Sequence, residues 1–84
     1  MIDRNMAAKI CRDRAGKAEE SRNHYQGILP ETEVSRQRYY VEKRSAKIWH
    51  ARSATFDSMP DGVQVEQWEV DAPFTDQELL TNPL

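Results

Sequence analysis

No lysine or arginine follows Arg52, so residues 53–84 carry no basic charge. Cysteine is equally scarce. Cys11 is the only one, which excludes an intrachain disulfide and a cysteine-built zinc cluster. The three glycines, Gly16, Gly27 and Gly62, lie too far apart to form a phosphate-cradling loop. No apolar run approaches the roughly 20 residues needed to cross a bilayer. The start, Met1-Ile2-Asp3-Arg4-Asn5, enters a charged segment without the apolar core of a signal peptide. These absences predict a cytoplasmic protein with no membrane association, no metal and no cofactor.

What is present is a charge split. The first 52 residues hold all twelve Lys and Arg against seven acids, a net +5. Residues 53–84 hold Asp57, Asp61, Glu66, Glu69, Asp71, Asp76 and Glu78, a net −7, and the whole chain sums to −2. Such a split means either a polyanion-binding half with an acidic tail or two halves that neutralise each other. Eighty-four residues make one small domain, 1–84. A chain this short buries roughly 60% of its unfolded surface, so a partner or a homodimer would add stability.

Residues 3–24 read as a helix capped by Asp3. Ala7, Cys11, Ala15, Ala18 and Tyr25 form a stripe of mostly small residues at helical spacing, and Ile10 and Met6 extend one flank. The helix should end near Gly27, because Pro30 disfavours helix at Leu29. Residues 31–54 fit either a helix or two strands, Arg36–Lys43 and Ala46–Thr55. Met59-Pro60-Asp61-Gly62 is a strong turn, and Val63–Val70 alternates like a strand, with a phase slip that suggests a β-bulge near Glu66-Gln67. A strand needs a partner for its backbone groups. Ile48–Phe56 before the turn is the natural one, and it would set Lys47, His50 and Arg52 opposite Glu66, Glu69 and Asp71. Thr75-Asp76-Gln77-Glu78 is a capping box opening a helix from Asp76 to about Thr81. The expected fold is therefore α+β: a long N-terminal helix packed on a three-stranded antiparallel sheet, then a short C-terminal helix. The core should draw on Ile10, Cys11, Ala18, Val41, Ile48, Phe56, Val65, Trp68, Val70 and Leu79. The alternative is an αα-hairpin followed by a strand that pairs across a dimer.

Two candidate faces carry the functional reading. Arg36, Arg38, Lys43, Arg44, Lys47 and Arg52 interleave with Tyr39, Tyr40 and Trp49, a mixture that can hold phosphates and stack on bases. The plainer reading is a solvated basic face paired with the acidic strand. The second face is Glu66, Glu69, Asp71, Asp76 and Glu78, a candidate dock for a basic partner. His50 beside a carboxylate could exchange a proton, but no nucleophile or oxyanion donor accompanies it. Cys11 reads as a small buried hydrophobe.

With no catalytic constellation, the expected function is non-enzymatic: a stoichiometric inhibitor or regulator that covers a protein or nucleoprotein surface. Its small size and mixed charge suit an inhibitor of the kind that phages and mobile elements encode, anti-CRISPR proteins among them, an expectation that rests on size and class and on no motif. The alternative is nucleic-acid binding through the basic and aromatic 36–52 segment.

Overall fold

The computed structural model describes residues 1–84, which form two long helices in an antiparallel hairpin, finished by a short β-ladder and two short helices. Strand β1 (Ile2–Asp3) leads into α1 (Arg4–Gln26). Asp3 caps α1 by accepting from the Asn5 N–H at 2.7 Å. Ala7, Ala8, Cys11, Ala15 and Ala18 are buried along one side. Gly27 closes the helix, its N–H donating to the Asn23 and His24 carbonyls.

A short connection leads to α2 (Glu33–Asp57). Its start is fixed by a reciprocal cap: Ser35 N–H donates to Thr32 Oγ1 at 3.1 Å, and Thr32 N–H donates to Ser35 Oγ at 3.0 Å. Ala46, Ile48, Ser53 and Phe56 are buried on α2. Small residues on α1 let the two backbones approach closely, so helix-on-helix packing buries this apolar surface without a sheet.

The three-stranded sheet is therefore corrected. Residues 36–55 are one continuous helix, where two strands were expected. The turn at Met59–Gly62 is present, with Gly62 at φ +86° and Val63 N–H donating to the Pro60 carbonyl. It connects α2 to β2 (Gln64–Val65), and β2 pairs antiparallel with β1 of the same chain, Ile2 opposite Val65. The backbone partner that the strand needed is thus two residues at the far end of the chain. It is not Ile48–Phe56. The expected bulge is also corrected: at Glu66 the period changes from strand to helix, and Glu66 caps α3 (Gln67–Asp71). Val70 is fully buried as a result, while Trp68, assigned to the core, is 68% exposed. The last helix, α4 (Asp76–Thr81), has the expected bounds and the Thr75–Glu78 capping box.

The molecule is a rod, 49 × 23 × 18 Å, with a radius of gyration of 14.5 Å. A compact domain of this length would measure about 12 Å. The main core lies at one end of the rod, where Ala7, Ala8, Cys11, Phe56, Val65 and Val70 cluster with Ile2, Ile10, Trp49 and Met59 against them. The accessible surface, 5802 Å², exceeds the roughly 5,200 Å² of a compact monomer of this mass.

Candidate polyanion-docking face

The charge split is largely consumed inside the fold. Arg4 pairs with Asp61, Arg12 with Asp57 at 3.0 Å, Arg14 with Asp71 at 2.7 Å and Arg52 with Glu78 at 2.8 Å. Each of these pairs joins the basic half to the acidic half, and together they engage four of the seven acids beyond Arg52. Glu66 and Glu69 cap each other across the first turn of α3, with Glu66 N–H donating to Glu69 Oε2 at 2.7 Å. Of the five acids read as a docking face, Asp71 and Glu78 are thus paired internally, Glu66 and Glu69 close a helix, and Asp76 is exposed at the start of α4.

Arg52 is the centre of this internal network. Its Nε and Nη2 hold both Glu78 oxygens at 2.8 Å, Nη1 donates to the Val70 and Ala72 carbonyls, and Nη2 also reaches the Pro73 carbonyl. The fork geometry of guanidinium suits this task, binding a carboxylate and three carbonyls at once. Hydrogen bonds from Arg52 hold the Glu78 carboxyl down at about 2. Trp49 sits in the same joint. Its ring meets Phe74 edge-on at 5.5 Å, with the Arg14 and Arg52 guanidiniums 4.9 and 5.0 Å from its centre. Arg52 and Trp49 therefore fasten the C-terminal segment to α2, and neither presents a free recognition group.

The remaining basic residues of α2 are arranged differently. Tyr40, Lys43, Arg44 and Lys47 follow an i, i+3, i+4, i+7 spacing and so share one face of the helix. They line a cleft of about 250 Å³ whose opposite wall is Pro83 and Leu84. Lys43, Arg44 and Lys47 take part in none of the ion pairs. Arg44 Nε is enclosed and bonded to no acceptor. Tyr40 is 43% exposed and meets Tyr39 edge-on at 5.2 Å. A second cleft, about 280 Å³, continues from Tyr40 toward the helical turn, lined by Tyr25, Tyr39, Arg36 and Leu29 among others.

Of the remaining basic candidates, Arg36 pairs with Glu31 at 2.8 Å, at the edge of that second cleft. Arg38 faces another side of α2, beside Val34, Gln37 and Val41. Sequence reasoning offered Arg36–Lys43 as a strand, on which Arg36, Arg38 and Tyr40 would share a face; on a helix, residues two apart are separated by about 200°, so Arg38 parts from Arg36 and Tyr40. It also missed Asp57, Asp61 and Arg14 as anchors, since their partners depend on the hairpin.

His50 faces Glu19 of α1, so the expected carboxylates across a β-hairpin are replaced by one across the helix pair. Cys11 is fully buried, and burial raises its thiol pKa, which suppresses the thiolate. No cluster of His, Cys, Asp and Glu has metal-binding geometry, and no helix is long and apolar enough to cross a membrane. No family model, curated protein or solved structure matches the chain.

Proposed function

We propose that the protein is a non-enzymatic binding module that docks on an anionic macromolecular surface through the Tyr40–Lys47 face of α2, regulating the partner by covering it. One observation carries this reading. The fold neutralises Arg4, Arg12, Arg14 and Arg52 with its own C-terminal acids but leaves Lys43, Arg44 and Lys47 together on one face and outside every ion pair. Three cations within two turns create a local positive field that the net charge of −2 conceals. A stoichiometric inhibitor of a nucleoprotein, of the kind mobile elements encode, fits within this reading.

The test is capture of partners from native lysate, with and without nuclease, by the wild type and by the Lys43→Ala/Arg44→Ala/Lys47→Ala variant. A Lys9→Ala/Lys17→Ala/Arg22→Ala variant of α1 serves as the charge-matched control. The reading predicts a near-stoichiometric partner that the α2 variant loses and the α1 variant keeps. Equal retention by both variants refutes it.

A further inference from the structure

We propose that the occupant of the α2 face is single-stranded nucleic acid, with Lys43, Arg44 and Lys47 on successive phosphates and a base stacked on Tyr40. This rests on the docking reading above and names its partner class. The cations alone would suit any anion. The aromatic groups narrow the choice, because Tyr40 belongs both to the cationic cleft and to the tyrosine-lined cleft beside it. The free cations thus lie to one side of Tyr40 and the other tyrosine rings to the other side. A carboxylate-rich protein surface needs the cations but leaves the rings unused. A strand of nucleic acid offers both a regularly spaced anion and an exposed π face at each residue.

Geometry favours a single strand over a duplex. Tyr40 to Lys47 spans about 10 Å of helix, enough for two or three nucleotides. A duplex keeps its bases stacked inside, so neither Tyr40 nor the tyrosine-lined cleft would find a ring to hold. Tyr40 meets Tyr39 edge-on, a contact that favours a fixed ring and so a smaller entropy loss on stacking.

Fluorescence anisotropy on the full chain tests this, with a labelled oligothymidine dodecamer, the corresponding duplex and an oligoglutamate peptide as probes, from 50 to 200 mM salt. The single strand should bind tightest. Its log–log salt slope should be about −2, as three single-strand phosphates require. The Lys43→Ala/Arg44→Ala/Lys47→Ala variant should bring that slope toward zero. Tyr40→Leu should weaken binding by about fivefold or more at unchanged slope, because stacking is lost and charge is not. Circular dichroism confirms that each variant folds, which alanine in a helix permits. Oligoglutamate or duplex binding as tight as the single strand, or indifference to Tyr40→Leu, overturns the single-strand assignment while leaving the docking face in place. No binding to the single strand also overturns it. Failure of the docking reading itself shows separately, as lysate capture that the triple variant does not impair.

Discussion

Replacing Glu78 by Gln should cost the fold about 2 kcal/mol at neutral pH and remove one acid transition. Glu78 is 24% exposed, and its Arg52 partner is 11% exposed. Its pKa falls from 4.5 to about 2, chiefly because Arg52 hydrogen-bonds the carboxylate. At ~1.4 kcal/mol per pKa unit that shift sets a ceiling of about 3 kcal/mol, which partial solvation of the site trims to about 2. Gln can still complete the capping box with Thr75, but its amide nitrogen cannot accept from Arg52, so the substitution removes the charge together with one of the two Arg52 hydrogen bonds. A group whose folded pKa is depressed stabilises fully above its unfolded value, and the contribution fades as pH drops toward the folded value. The stability gap between wild type and Glu78→Gln should be constant above about pH 4.5 and close as pH approaches 2. Urea titrations followed by circular dichroism, repeated from pH 7 to pH 2, measure both. Total stability for this length is roughly 4–13 kcal/mol, so a 2 kcal/mol change is readily resolved. A variant within about 0.5 kcal/mol of wild type at pH 7, or a gap that persists undiminished at pH 2, would refute the view of Arg52–Glu78 as the joint holding the C-terminal segment to α2.

Further consequences concern the helix pair. Gly16 sits in the interior of α1, and a methyl group added there would meet nothing within 4 Å, so Gly16→Ala should stabilise by up to about 1 kcal/mol in the same urea assay. Ala15 is fully buried in the stripe that admits α2, so Ala15→Leu should destabilise by about 1–3 kcal/mol and lower the melting temperature. Thr32→Ala removes the cap that starts α2 and should cost about 1 kcal/mol, read as reduced protection from hydrogen exchange at the first amides of α2.

The sequence made some elements legible because their signals are local. Asp3, the alanine stripe and Gly27 mark α1, Met59–Gly62 marks a turn, and Thr75 with Glu78 marks α4. The middle of the chain was not legible in the same way. Thr32 caps α2 with Ser35 at the position where Glu or Gln completes the familiar box, so the start signal was weak. The alternation in Val63–Val65 was real but served a two-residue ladder, and the phase slip after it marked a helix start. These two errors combined to make Ile48–Phe56 the strand's partner. The site inherited the same ambiguity. Lys43, Arg44 and Lys47 were among the candidates, yet their convergence with Tyr40 depends on helical spacing. Which cations stay free depends on pairs such as Arg12–Asp57, 45 positions apart, that only the hairpin creates.

The central claim is that α2 carries the protein's working surface, and a polyanion titration followed residue by residue tests it most directly. Short inorganic polyphosphate added to the isotopically labelled protein, monitored by amide chemical shifts, samples every face at once. Shifts concentrated at Tyr40–Lys47 and reduced by added salt are the predicted result. Shifts centred on Lys9, Lys17 and Arg22 of α1, or spread evenly over the molecule, would contradict the claim.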